Sequence, residues 1–123
     1  MLYTSRYQNK ALNDEDHLLV RTSRGAPRWK VPYTTVNCPM LAPPKAVGMA
    51  DNVLSFSLDY ADHLEEVGVD NIKAEINSLK QAAGKRKIVL LCFCDLNQEH
   101  AYCHRRVFAT WYEAETGVKV KEL

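Results

Sequence analysis

The chain has 123 residues, a length that fits one domain better than two. Its 16 basic and 15 acidic side chains leave a net charge of +1, so overall charge gives no reason to expect binding to nucleic acid or to an anionic membrane. No apolar run could span a bilayer and residues 1–10 lack the core of a signal peptide, so we expect a soluble, cytoplasmic protein with reduced cysteines.

Two short apolar segments near the start of the chain predict strands. The first is Met1–Thr4, and the second is His17–Thr22, which breaks at a loop containing Gly25 and Pro27. All five prolines of the chain fall between Pro27 and Pro44. We therefore expect this stretch to be an ordered surface loop without regular structure.

Apolar residues at helical spacing predict two consecutive helices in the middle of the chain. The first covers Asp51–Glu66, with its apolar face formed by Leu54, Leu58, Ala61 and Leu64. Asp70 is the expected N-cap of the second, which ends at Gly84. Its apolar stripe consists of Ile72, Ile76, Leu79 and Ala83.

The last third of the chain predicts a buried strand, a helix and a short closing strand. Ile88–Phe93 has no polar alternation, as in a central strand buried on both faces. Cys103–Glu115 has helical spacing, and Val118–Lys121 reads as the closing strand. Residues 1–123 thus predict a single three-layer α/β domain with a small, mostly parallel sheet flanked by helices, a fold that commonly binds ligands at the carboxyl ends of its strands.

Several motifs resemble the family known as domain of unknown function 488. They are the Leu90–Phe93 run, the Cys103–Arg106 run ten residues later, and the Phe108–Trp111 and Thr116–Gly117 segments, with weaker likeness at Met1–Ser5 and Ser23–Trp29. The resemblance implies a small α/β fold, and nucleotide-related or nucleic-acid-related chemistry has been suggested for such domains. Family members usually carry glutamate where this chain has Cys94, so a role for that acid would not carry over, and Asp95 is the nearest substitute.

The cluster that begins at Cys103 is the candidate catalytic group. A cysteine in the first turn of a helix, next to basic side chains, is stabilised as a thiolate and can act as a nucleophile or redox thiol. In that reading His104 is an acid or base and Arg105 stabilises developing negative charge. The alternatives are that the helix start only binds an anion, or that Cys103 merely caps the helix while its arginines are solvated.

Polar residues at the ends of the first two strands form the candidate ligand-binding group. Ser5 and Arg6 follow the first strand, and Ser23 and Arg24 follow the second, so parallel strands would bring both pairs to the edge where Cys103 lies. Together with Arg106 they would form a phosphate cradle. Trp29 either stacks on a base or anchors the proline-rich loop to the core.

Cys92 ends the buried strand, where it either packs in the core or faces the same ligand. Cys92, Cys94, Cys103 and His104 are also of the types that bind zinc. The Cys-x-Cys spacing suits a tetrahedral site poorly, so we expect no metal and no cofactor.

The leading hypothesis for function is that the protein binds a nucleotide or a nucleic-acid phosphate, with or without cysteine chemistry. The alternatives are a protein-interaction module of mobile-element or phage type, or a zinc-supported structural domain.

Overall fold

A computed structural model describes residues 2–23, 27, 29–43, 53–93 and 104–123 of the chain. Parallel strands make up one five-stranded sheet in these ranges, in the order β3, β2, β4, β1 and β5. The elements in chain order are β1 (Leu2–Arg6), β2 (His17–Arg21), β3 (Thr35–Asn37), α1 (Val53–Val67), α2 (Val69–Ala83), β4 (Lys87–Cys92), α3 (His104–Thr116) and β5 (Lys121–Glu122). The prediction of an α/β fold with a parallel sheet is confirmed.

The central strand is β4, as its unbroken apolar run predicts. It pairs with β1 on one side, where Leu2 aligns with Ile88, and with β2 on the other, where Leu18 aligns with Ile88. Residues 88–92 of β4 are all buried. A strand covered on both faces and paired on both edges has no polar position, which is why the sequence shows no alternation there.

The two faces of the sheet are covered by different kinds of structure. Strand residues such as Val20 and Leu90 point to a core shared with α1, α2 and α3, here called the helix face. Their neighbours Leu19 and Leu91 point to the opposite side, the loop face, where they pack against Tyr7, Leu12 and Tyr33 of the connecting segments. In the described ranges the third layer is therefore made of loops, while the helices share one face.

The buried stripe of α1 differs from the predicted one. Leu58 is 58% exposed, and Phe56, Tyr60 and Leu64, four residues apart, form the buried face instead. The prediction counted only aliphatic residues, so the predicted face is rotated by about 100° from the buried one, and Leu64 belongs to both. The Tyr60 hydroxyl donates a hydrogen bond to the carbonyl oxygen of Leu41. Tyrosine can be buried here because this hydrogen bond replaces those that its hydroxyl would form with water.

The start of α2 also differs from expectation. The residue before the helix is Gly68 at φ 94°, with no side-chain cap, while Asp70 lies inside the first turn. Glycine is needed because this left-handed backbone disfavours residues with a Cβ atom. The four predicted apolar residues of α2 are buried as expected, and Gly84 follows the last helical residue.

The expectation of no regular structure between Pro27 and Pro44 is wrong in part. Residues 35–37 lack proline and pair with β2 as a short edge strand, where Leu19 aligns with Thr35. Pro39–Leu41 then forms a turn of 3-10 helix. Proline is tolerated at its first position because an N–H group there has no acceptor within the helix, so no helical hydrogen bond is lost.

The remaining boundaries shift by one to three residues. Ser5 and Arg6 belong to β1 rather than to a turn, and β5 is Lys121–Glu122 rather than Val118–Lys121. This last strand is placed by its pairing with Tyr3 and Thr4 of β1, which sequence patterning cannot show. No helix in the described ranges is long and apolar enough to cross a membrane.

Candidate functional site

The carboxyl edge of the sheet brings three separate stretches of chain together. The backbone amides of Tyr7 and Thr22, which follow β1 and β2, donate to the carbonyl oxygens of Cys92 and Leu91, each across 3.2 Å. Helix α3 begins at the same edge, where His104 Nε2 lies 3.0 Å from the Thr22 carbonyl oxygen. Parallel pairing makes this convergence unavoidable, because all three strands end on one side.

Arg21 ends β2 on the loop face, and its guanidinium includes a buried donor that has no partner among the described residues. Its Nε atom is buried and has no hydrogen-bond partner, and no hydrogen bond joins the rest of the group to the described part of the chain. A guanidinium carries five N–H donors, and each buried donor left unpaired costs about 1–3 kcal/mol. No salt bridge joins Arg21 to the described residues.

Tyr7 connects Arg21 to an aromatic surface. Burial raises the pKa of Tyr7, while its hydrogen bond with Ser23 and the nearby charge of Arg21 act in the opposite direction. The Tyr7 ring lies 4.9 Å from that of Phe93, which in turn meets the Trp29 ring edge-on at 5.9 Å. Trp29 and Phe93 are 42% and 43% exposed, so this pair offers aromatic surface to solvent beside a cation.

The two predicted serines also lie on the loop face, and both are buried. Ser5 Oγ accepts from Asn9 Nδ2 at 3.0 Å, and the Ser23 and Tyr7 hydroxyls are 2.7 Å apart. Side chains alternate along β1, so Arg6 extends to the opposite face from Ser5. Contacts of these serines with a ligand stay a prediction. Arg24 lies outside the described residues, as do Cys94 and Cys103.

His104 is a buried, neutral imidazole in the first turn of α3. Thr22 Oγ1 donates to the Leu91 carbonyl oxygen at 2.7 Å, so it accepts from His104 Nε2, 3.1 Å away. Nε2 therefore carries the ring proton and shares it with the Thr22 carbonyl oxygen. Burial lowers the pKa of His104, which keeps the ring uncharged at neutral pH. Its predicted role as an acid or base is untested by this geometry.

Arg105 and Arg106 are both held within the protein. Arg105 is 2% exposed, pairs with Glu122 through Nη2 at 2.8 Å, and donates from Nη1 to Cys92 Sγ at 2.9 Å. Arg106 Nη1 donates to Thr4 Oγ1 at 3.0 Å. The alternative that these arginines are solvated is therefore wrong for Arg105. Cys92 accepts this hydrogen bond while remaining 1% exposed, so it packs in the core and also meets a cation.

Metal binding has no support within the described part of the chain. No three of its histidine, cysteine, aspartate or glutamate side chains come close enough to hold a metal ion. Of the four predicted zinc ligands, the structure describes Cys92 and His104.

Cys38 belongs to none of the predicted motifs. It is buried, and burial raises its pKa to about 11, with the charge of Glu75 adding to the effect. It is an inert core thiol at neutral pH.

Sequence patterning pointed to Arg24 and missed Arg21. The signal was present: Arg21 closes the apolar run of residues 18–20, and a charge in the last position of a buried strand lies at the ligand-binding edge of a parallel sheet. Phe93 was likewise counted as part of the buried strand, whereas the strand ends at Cys92 and Phe93 is exposed at the edge.

The fold and this edge define a small parallel α/β domain with a cationic, aromatic rim at the carboxyl ends of its strands. The chain belongs to the family described as domain of unknown function DUF488, whose sequence model matches residues 30–112. The matched range contains Phe93, Arg105 and all of β4, but β1 and Arg21 precede it. No curated protein and no solved structure matches the chain.

Proposed function

We propose that the carboxyl edge of the sheet binds the phosphate group of a nucleotide or of a nucleic-acid end. The observation that carries this proposal is the Arg21 guanidinium, whose buried Nε atom has no hydrogen-bond partner. A phosphate satisfies guanidinium donors in pairs, and such charge-assisted bonds are about twice as strong as neutral ones. Arg21 is only partly buried, so the outer nitrogens of its guanidinium can be reached from solvent, and a phosphate there would recover hydrogen bonds that the described residues leave unmade.

The exposed aromatic pair favours a nucleotide over inorganic phosphate. The Trp29 and Phe93 rings are in contact, and Phe93 also packs against Tyr7. The positive charge of Arg21 acts to lower the pKa of Tyr7, so the cation and the aromatic pair belong to one site. Stacking of a base on an aromatic side chain contributes roughly 1–3 kcal/mol and does not depend strongly on the identity of the base. A ligand with both a phosphate and a base would use both features.

Cysteine chemistry at this edge stays a prediction that rests on Cys103. Among the described cysteines, Cys38 and Cys92 are both reduced and buried, so neither offers its sulfur to a ligand in solution. Reduced thiols fit a reducing compartment, and a cytoplasmic location is part of the proposal. Binding does not require a reactive thiol, and we propose binding alone.

The test is calorimetric titration with inorganic phosphate, adenosine monophosphate and a short 5′-phosphorylated oligonucleotide. Arg21→Met should weaken binding of the monophosphate about tenfold to a hundredfold, as expected for loss of hydrogen bonds to a charged group. Arg86→Gln is the matched control, because it removes a guanidinium at the opposite edge, where Arg86 bonds to the Ala82 and Ala83 carbonyl oxygens.

Arg21→Met should also affect the stability of the protein without ligand, and in the opposite direction to its effect on binding. Without ligand, Arg21→Met should leave the free energy of unfolding unchanged or raise it by about 1 kcal/mol, because it removes a buried donor that has no partner. Urea denaturation measures this directly. Equal affinity of the parent and Arg21→Met for every probe would reject phosphate binding at this edge, and would favour the protein-interaction module, for which the exposed Trp29 and Phe93 would be partner contacts.

A further inference from the structure

A separate pocket lies at the amino ends of the strands, next to Leu2, the first residue of β1. It has a volume of about 350 Å³, within the range of small-molecule sites. Its floor is apolar: Leu2, Ile76 and Tyr112 are 5%, 2% and 4% exposed. It is formed where α2, α3 and the segment leading to β5 meet, away from Arg21.

Positive charge surrounds this apolar floor. Lys80, Lys119 and Lys121 line the pocket, and none of its described lining residues is acidic. No salt bridge joins these three lysines to the described residues; the nearby Glu122 carboxylate is paired with Arg105 instead. Helices α2 and α3 both end on this side, and each helix end contributes about half a negative charge. The helix ends offset part of the charge of the three lysines, which no described carboxylate pairs with directly.

Tyr112 adds a hydrogen-bond donor to the pocket wall. Its side chain is more than nine-tenths buried, yet no described residue forms a hydrogen bond with its hydroxyl group. Burial raises the pKa of Tyr112, which keeps the phenol protonated and able to donate. Among the described residues, the buried side-chain atom without a partner is Arg21 Nε, so the Tyr112 hydroxyl is reached by solvent and can donate to a ligand acceptor.

From these three observations we infer that the pocket binds a small monocarboxylate with an apolar body. The apolar part of the ligand would cover Leu2 and Ile76, and its carboxylate would meet the lysines and accept from the Tyr112 hydroxyl. An aromatic acid and a medium-chain aliphatic acid share this chemistry. The inference is independent of phosphate binding at the opposite edge.

The test is an NMR titration of the full chain with benzoate and with hexanoate, each compared with its neutral amide. Binding should shift the backbone amide signals of Leu2, Tyr112 and Lys119, and the amides should bind at least fivefold more weakly. Tighter binding of benzoate identifies an aromatic acid as the ligand class, and tighter binding of hexanoate identifies an aliphatic acid. Equal affinity for acid and amide would overturn the inference.

Two variants locate the interaction. Tyr112→Phe removes only the hydroxyl and should weaken carboxylate binding about tenfold, the loss expected for one hydrogen bond to a charged acceptor, with unchanged thermal stability. The double variant Lys119→Gln and Lys121→Gln should weaken it at least threefold, whereas Lys10→Gln, a lysine outside the pocket, should not. Unchanged affinity in Tyr112→Phe and in the double lysine variant would equally overturn the inference. Inorganic phosphate should leave these amide signals in place.

Discussion

At the scale of single residues, the buried imidazole of His104 makes stability depend on pH. Burial lowers its pKa in the folded protein below the ordinary value of 6.5. As the pH falls below about 6.5 the unfolded state takes up the proton first, so the free energy of unfolding falls, by at most about 1.4 kcal/mol per pH unit. Above pH 6.5 this contribution is fully present.

His104→Gln tests that dependence. The glutamine amide can still donate to the Thr22 carbonyl oxygen, the bond that His104 Nε2 makes at 3.0 Å, but it does not titrate. Urea denaturation at pH 7.5 and pH 5.5 should show a smaller loss of stability in the variant than in the parent. The same loss in both proteins would mean that other groups cause the acid sensitivity.

The identity of the site residues shows where sequence reasoning stops. The convergence of Arg6, Cys92 and His104 at one edge follows from parallel strands and was expected. The direction of each side chain was not, because it depends on the parity of each strand: Ser5 and Arg21 face the loops, while Cys92 faces the helices. The pairing of Arg105 with Glu122 joins residues 17 positions apart, and no local pattern predicts it.

At the scale of the elements, the connection between α1 and α2 depends on one glycine. Gly68 has φ 94°, a region that disfavours every residue with a Cβ atom. A Cβ atom there would meet Asn71 Nδ2 at 3.6 Å, an ordinary contact, so backbone strain is the whole penalty. We expect Gly68→Ala to lower the free energy of unfolding by about 1–2 kcal/mol.

Thermal or urea denaturation measures this effect, with Ser78→Ala as the control. Ser78 is exposed in α2, the helix that follows Gly68. Alanine is a better helix former than serine, so this change should be neutral or slightly stabilising. A Gly68→Ala protein as stable as the parent would mean that the connection adopts a different backbone in solution.

The elements themselves were largely predictable, and the differences have simple causes. Helix α2 and strand β4 have long, regular apolar patterns and were placed within two residues. Strands β3 and β5 have three and two residues, too short to carry a pattern, and each exists because a neighbouring strand offers free backbone groups. The aromatic stripe of α1 was missed because Phe56 and Tyr60 were not counted as core residues.

At the scale of the whole molecule, Glu122 joins β5 to the core. Its carboxylate accepts from Thr4 Oγ1 at 2.6 Å and pairs with Arg105, whose side chain is 1% exposed against 28% for Glu122. Removing one partner of a buried pair leaves the other charge uncompensated, at a cost of about 3–5 kcal/mol. Because Glu122 is partly solvated, we expect Glu122→Gln to lower the free energy of unfolding by about 2–3 kcal/mol.

A double-mutant cycle with Arg105→Met isolates the pair. The double variant should be more stable than the sum of the two single losses implies, since neither charge is then left without its partner. Urea denaturation of the four proteins gives the coupling free energy. Simple additivity would show that the contact seen between Arg105 and Glu122 contributes nothing to stability.

The position of β1 within the sheet has a consequence for biosynthesis. Both neighbours of β1 come from the last third of the chain, since Leu2 aligns with Ile88 and Tyr3 with Lys121. A polypeptide emerging from the ribosome must therefore carry its first strand unpaired until residues 87–92 have left the exit tunnel. Such distant pairing slows folding, and the exposed strand edge of the nascent chain is a natural substrate for chaperones.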